Sequence, residues 1–318
     1  MTLKKLAVST AIATTLMSVS ASSQASALAQ SIVNLTNLTV SQGGITLQRT
    51  DFSSFNATNS GDVKASVNGT THTDQFGPID PALDPTGSVG HDMYQTVNPV
   101  IGYSDNAFSP VVGAPPVNGT FAVGDQLEQG APITGIVDGS GNTISTPAHL
   151  GNAAIVSLEN AGAGTSTSNN GLESQFTFSG ISGVLDFKFG LYAFLSTYLD
   201  AGDPVPSSAS AQLSVTFSLV DTATGNEMIA PNLFGPLGGF SFGATRASNA
   251  PGSGNQNTFT FVDPNMSFST LSLNSNTSYQ LSARIQTLAD ARYVPEPATL
   301  ALLGAGLIGL GARRKKTS

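Results

Sequence analysis

Regular alternation of apolar and polar residues is the clearest pattern along the chain, and it lies beyond residue 170. Residues 213–219 alternate without a fault between apolar and hydroxyl-bearing side chains, as a strand with one buried face does. Residues 185–191 and 279–285 repeat this pattern. No helical period separates the three runs, so we expect an all-β fold, an antiparallel β-sandwich or jelly roll, with long irregular loops.

Three other stretches refine this expectation. The alternation changes phase between Phe268 and Leu271, which predicts a β-bulge, and the Asp, Gly and Asn of residues 221–227 predict a turn. Residues 191–199 have enough Leu, Tyr and Ala for a helix, but we interpret them as a strand with a bend. Prolines interrupt every candidate element of residues 76–119. We therefore expect an irregular segment there, either an insertion packed over a sheet or a weakly ordered surface region.

Residues 1–29 have the organisation of a secretory signal peptide. Lys4 and Lys5 precede an uncharged apolar stretch, and a run of small residues after it contains Ala-x-Ala cleavage sites that end at Ala27 and Ala29. An amphipathic first helix of the fold is disfavoured because no polar face follows Lys5. We expect a signal helix, export through the Sec translocon and cleavage by signal peptidase.

Residues 294–318 fall into three parts. The triplet Pro295, Glu296 and Pro297 comes first, an uncharged apolar stretch of 15 residues follows, and four basic residues come next: Arg313, Arg314, Lys315 and Lys316. As a helix the apolar stretch would be about 22 Å long, which is short for a hydrocarbon layer of about 30 Å. The basic tail would stay in the cytoplasm, with the body of the protein on the other side of the membrane.

This tail resembles the PEP-CTERM sorting signal of bacterial surface proteins, which has the same motif, apolar helix and basic terminus in that order. The resemblance implies that exosortase, a membrane-embedded enzyme, recognises Pro295, Glu296 and Pro297 and removes the tail after transient insertion of the helix in the inner membrane. Each proline fixes φ near about −65° and disfavours helix in the residue before it, so the motif would be an extended strip above the membrane. The body also resembles a PEP-CTERM group named for an EDSAxxA motif, with Leu-Glu-Asn-Ala-Gly at 158–162 in the place of that motif.

Removing the two terminal signals changes the charge of the protein. The chain of 318 residues has a net charge of −8, whereas residues 30–293, the predicted body of 264 residues, have six basic and nineteen acidic residues and a charge of −13. The basic residues do not cluster, so we do not expect nucleic acid as a partner. The dispersed acids suit a soluble exported protein, and calcium binding is the sharper alternative.

Little in the body indicates chemistry. The chain has no Cys, which excludes disulfides, zinc–thiolate sites and a Cys nucleophile. Gly-Phe-Ser-Phe-Gly around Ser241 fits a nucleophile elbow, but its flanks are turn-like and all three histidines precede it, so no catalytic residue is assigned. Asp138 and Asn142 are weak candidates for Ca²⁺ ligands in an Asp-Gly turn, and we expect no other metal and no cofactor.

These observations predict a non-catalytic protein exported by a Gram-negative bacterium. Exosortase would sort and process it, and it would remain at the outer surface or in the extracellular matrix with exopolysaccharide, in a biofilm or floc. The alternative is a carbohydrate- or calcium-binding β-sandwich module, by analogy of fold. A third interpretation is a secreted serine hydrolase that uses Ser241.

Overall fold

The computed structural model describes residues 27–293 apart from 77–90, 101, 112–118, 138–142, 145, 160–161, 179–181, 200–206, 230–238 and 248–255. The predicted signal helix and C-terminal helix lie outside these residues. Within the described part of the chain, no helix has the length and apolar character needed to cross a membrane.

Strands account for nearly all the regular structure, together with one 3-10 turn at Arg49–Asp51. The described strands are β1 (Ala27–Gln42), β2 (Ile45–Thr46), β3 (Phe52–Val67), β4 (Thr70–Phe76), β5 (His91–Val97), β6 (Phe121–Gln129), β7 (Ile136–Val137), β8 (Thr143–Ile144), β9 (Ala148–Leu158), β10 (Gly162–Phe178), β11 (Asp186–Leu199), β12 (Ser208–Asp221), β13 (Gly239–Ala247), β14 (Gln256–Ser269) and β15 (Ser278–Tyr293).

These strands form two antiparallel sheets. The first sheet has the order β14-β11-β1-β9-β6-β5, with β2 beside β1, and the second has the order β13-β12-β15-β10-β3-β4. A separate ribbon joins β7 to β8. Buried side chains from both sheets pack together between them. The prediction of an all-β antiparallel sandwich is therefore confirmed.

Large apolar side chains fill one end of the space between the sheets. The rings of Phe187 and Phe268 stack with their centroids 4.6 Å apart, and Phe217 of the facing sheet lies 5.0 Å from Phe268. The three alternating runs seen in the sequence supply much of this cluster: Leu185, Phe187, Phe189, Leu191, Leu213, Val215, Phe217, Leu219, Tyr279, Leu281, Ala283 and Ile285. The period-two pattern thus identified the main core.

Small side chains let the sheets approach closely at the other end. Ser166 Oγ in β10 donates to the carbonyl oxygen of Val123 in β6, and Ser168 Oγ donates to that of Asp125 at 2.8 Å. A Cβ on Gly124 would lie 3.1 Å from the carbonyl oxygens of Lys64 and Thr167. Gly124 therefore faces the second sheet, and its neighbour Asp125 faces the outer side of the first sheet because strand side chains alternate.

Residues 76–119, which the prolines predicted to be irregular, contain the strand β5 (His91–Val97), which pairs with β6. Residues 102–111 then cover the outer face of the first sheet, where Tyr103, Phe108 and Val111 are buried in a cluster with residues of β1, β6 and β9. Val111 N donates to Gln30 Oε1 at 2.8 Å and fixes the end of this segment. Residues 102–111 are thus packed over the first sheet.

The smaller expectations have mixed outcomes. The turn is confirmed, because Gly225 N donates to the Asp221 carbonyl oxygen at 2.8 Å, and residues 191–199 are strand throughout. The bulge near residue 270 is wrong. β14 ends at Ser269, and the irregularity in the pairing of β11 with β14 lies between Phe189 and Leu191.

Candidate functional site

Several of the sequence-predicted site residues lie outside the described part of the chain: Pro295, Glu296, Pro297, Arg313, Arg314, Lys315, Lys316, Asp138 and Asn142. Ala27 and Ala29 are described, and both are fully buried at the start of β1. β1 pairs there with β11 on one side and with β9 on the other, and Ala29 faces Thr197 and Val156 across the two ladders.

Ser241 lies within β13, where its backbone pairs with Ser214 of β12. A nucleophile elbow requires a sharp turn between a strand and a helix, and this position is inside a strand. His72 lies in β4 at the opposite edge of the same sheet, with four strands in between and a separation of about 24 Å. His91 and His149 belong to strands of the other sheet. The topology therefore distributes the Ser and the three histidines over separate strands.

Three carboxylates that the sequence did not single out converge on the outer side of the first sheet. One oxygen from each of Asp92, Asp105 and Asp125 lies within 4.8 Å of the others. Asp125 belongs to β6 and faces Tyr94 of β5 directly, so Asp92, two residues along β5, is its diagonal neighbour on the same face. Asp105 comes from the segment 102–111 that covers this face. We call these three residues the aspartate cluster.

Tyr103 and Asn106 hold the aspartate cluster in place. Tyr103 Oη and Asn106 N both donate to Asp125 Oδ2, at 2.7 and 2.9 Å, and Asn106 Nδ2 donates to Asp92 Oδ2 at 2.8 Å. Asn106 has a φ of 58°, in the left-handed region that Asn tolerates better than most residues. This conformation allows one residue to bind two of the three carboxylates.

Two oxygen atoms at the aspartate cluster have no hydrogen-bond donor. Asp125 is fully buried, and its Oδ1 accepts no hydrogen bond although its Oδ2 accepts two. The buried Oδ1 of Asn106 also has no partner. A buried acceptor without a donor costs about 1–3 kcal/mol, and more if it is charged. The cluster thus contains buried acceptor oxygens that no hydrogen-bond donor satisfies.

Electrostatics at the cluster are unfavourable to negative charge. Burial raises the pKa of Asp125 to about 7, against the lowering effect of the Tyr103 hydrogen bond, and the negative charges of Asp105 and Asp92 raise it further. Burial also raises the pKa of Asp105, and Asp92 adds to that shift. The pKa of the Tyr103 hydroxyl is raised above its usual value by burial first and by Asp125 second. A bound cation would stabilise the ionised form of all three groups.

His149 is a separate titratable group, on the same outer face. Its Nε2 lies 2.6 Å from Asn34 Oδ1, which can only accept, and Gln129 Nε2, which can only donate, lies 3.2 Å from its Nδ1. The neutral ring with its proton on Nε2 satisfies both contacts. Burial accordingly lowers the pKa of His149.

This lowered pKa predicts a loss of stability in acid. The unfolded chain takes up the proton at about pH 6.5, above the pKa of His149 in the folded protein, so folding stability is complete above that value and falls as the pH decreases. We expect the urea midpoint to fall more between about pH 8 and about pH 5.5 for the wild type than for His149→Gln, which cannot titrate. Equal pH dependence in the two proteins would contradict this assignment.

Comparison with known proteins identifies the C-terminal tail. Residues 294–315 match the PEP-CTERM protein-sorting motif. No curated protein and no solved structure matches the chain. The chain therefore has an all-β sandwich body and a PEP-CTERM sorting motif, which implies an exported protein with exosortase as its sorting partner. Membership of the EDSAxxA group stays a prediction.

Proposed function

We propose that this is a non-catalytic surface or extracellular-matrix protein of a Gram-negative bacterium, processed at its C-terminus by exosortase. The observation that carries the proposal is the sorting motif at residues 294–315, placed directly after the last strand of the sandwich. Transient anchoring through the apolar stretch would hold the body outside the inner membrane until the tail is removed.

The outer face of the second sheet supports a role in contact with exopolysaccharide. An open depression there is lined partly by apolar groups, among them Leu288, and partly by hydroxyl and amide side chains: Thr167, Asn169, Gln212, Ser214 and Gln286. Gln212 and Gln286 are exposed, and Ser214 Oγ donates to Gln286 Oε1 at 3.4 Å. Such groups can donate and accept the hydrogen bonds that sugar hydroxyls make. We infer that this face binds neutral regions of the surrounding polysaccharide.

Removing two amides from the depression should weaken that association. We expect the double variant Gln212→Ala, Gln286→Ala to bind purified exopolysaccharide of the producing cells several-fold more weakly in co-sedimentation. Gln280→Ala is the matched control, since Gln280 is exposed on the same strand β15 outside the depression. If the double variant and the control bind alike, the depression is not the contact surface.

Burial at the start of β1 bears on the signal-peptide cleavage site. Cleavage after Ala29 would remove three residues that pair with both β9 and β11, and cleavage after Ala27 would remove the first of them. We therefore propose cleavage after Ala25, where Ser23 and Ala25 give the small-residue pattern that signal peptidase requires. The sandwich would then keep the whole of β1.

Mass spectrometry of the exported protein tests this site. The expected N-terminal residue is Ser26, which leaves Ala27 and Ala29 in place. A mature chain that begins at Leu28 or Gln30 would contradict the proposal and would require the sandwich to form with a shortened β1. The matched variant Ala25→Asp should block cleavage after residue 25 without changing any residue of the strand.

A further inference from the structure

We propose that the aspartate cluster, Asp92, Asp105 and Asp125, binds a divalent cation of the hard, oxygen-preferring kind, with calcium as the best fit. The proposal goes beyond the sorting of the protein and does not depend on it. It involves residues other than the sequence-predicted calcium candidates Asp138 and Asn142.

The decisive observation is the buried oxygen that has no donor. Acidic residues often cluster on surfaces without a ligand, but Asp125 is fully buried and its Oδ1 accepts no hydrogen bond. The same carboxylate has its other oxygen fixed by Tyr103 and Asn106, so its orientation is set from one side only. A carboxylate with one oxygen held by protein donors and the other without a donor suits a metal ligand, because the second oxygen can still accept an ion.

The ligand set selects the class of cation. Every candidate ligand is an oxygen atom, one from each carboxylate of the aspartate cluster. Oxygen-only sets suit Ca²⁺, Mg²⁺ or Mn²⁺, whereas zinc and copper prefer nitrogen or sulfur. Carboxylate oxygens within 4.8 Å of one another can all reach a central Ca²⁺ at roughly 2.3–2.6 Å, with water in the remaining positions. Mg²⁺ would require a tighter octahedron.

The location suggests what the ion does. Asp92 and Asp125 belong to adjacent strands of the sheet, and Asp105 belongs to the segment 102–111 that covers its outer face. One cation would therefore connect the covering segment to β5 and β6. Without it, the three carboxylates have no positive charge between them at the point where the segment meets the sheet.

Calcium titration of the purified full chain tests the proposal directly. After removal of metal with EDTA, Ca²⁺ at about 100 times its Kd should raise Tm by roughly 5–10 °C, because it binds only the folded state. Tb³⁺ can replace Ca²⁺ as a luminescent probe. The chain contains no Trp, so its sensitised emission would come from tyrosine, and Tyr103 hydrogen-bonds to the cluster.

Matched variants locate the site. Asp92→Asn and Asp105→Asn change exposed residues, so they should fold and yet bind Ca²⁺ at least tenfold more weakly, with a loss of most of the Tm shift and of the Tb³⁺ emission. Asp74→Asn, which removes an exposed charge from β4, and Asp138→Asn should both retain the wild-type response. Asp125→Asn serves as a further variant and is not required to fold.

Three results would overturn the proposal. In the first, Ca²⁺ leaves Tm unchanged, as expected if Asp125 Oδ1 holds only a proton. In the second, Asp105→Asn and Asp92→Asn respond to Ca²⁺ as the wild type does. In the third, Asp74→Asn or Asp138→Asn loses the response to the same extent, which would indicate general charge screening or a different site.

Discussion

Phe187→Ala is expected to lower the free energy of unfolding by about 3–5 kcal/mol, the usual cost of removing a buried aromatic ring. Phe187 is 1% exposed, and its ring stacks on Phe268, which in turn contacts Phe217 of the opposite sheet. Loss of the ring leaves a cavity between the sheets and removes the contact of Phe268 with its stacked neighbour. Urea unfolding, followed by circular dichroism, measures the change.

Val262→Ala is the control for this prediction. Val262 lies on β14, next to the strand of Phe187, but is 64% exposed, so its truncation should change stability by no more than about 0.5 kcal/mol. Phe187→Leu should fall between the two variants because it retains part of the buried volume. If Phe187→Ala and Val262→Ala are equally stable, the stacked aromatic cluster is not the centre of the core.

Replacement of Pro295, Glu296 and Pro297 by alanine should abolish removal of the C-terminal tail. Alanine favours helix, so a helix formed by the apolar stretch could extend backwards through the motif, whereas proline disfavours helix there. The protein should then remain in the membrane fraction with its basic tail attached. Fractionation of the producing cells and a C-terminal epitope tag would show the unprocessed chain.

Lys315→Arg with Lys316→Arg is the control for the motif variant. It keeps all four positive charges after the apolar stretch, so orientation in the membrane should be unchanged, and the tail should be removed as in the wild type. Removal of the tail from the triple alanine variant at the wild-type rate would show that the Pro-Glu-Pro triplet is not the recognised element.

The sequence predicted the strands whose two faces differ. Residues 185–191, 213–219 and 279–285 alternate because one face packs on the other sheet. Apart from Leu185, which directly precedes β11, all of them lie in strands with the expected buried residues. The sequence did not predict β5, because no such alternation marks it. Its residues, His91–Val97, are mostly polar and lie between prolines, so pairing with β6 rather than a local pattern determines their conformation.

The aspartate cluster could not be located from spacing, because a sheet pairing and a covering segment bring its three members together. One local signal was present. Along β6 the outer positions are Phe121, Val123, Asp125 and Leu127, so an acid interrupts an apolar face of period two. A carboxylate buried at such a position requires compensation, and that requirement, rather than a metal-binding motif, marks Asp125 as a functional candidate.

The central claim, that exosortase processes an exported body, is tested most directly by the C-terminus of the extracellular protein. We predict that mass spectrometry of extracellular material from the producing bacterium finds peptides of the sandwich up to Tyr293 but none that reach Lys316. In a strain without exosortase, the chain should retain its tail and stay with the membrane. Extracellular wild-type protein with an intact C-terminus through Lys316 would contradict the account.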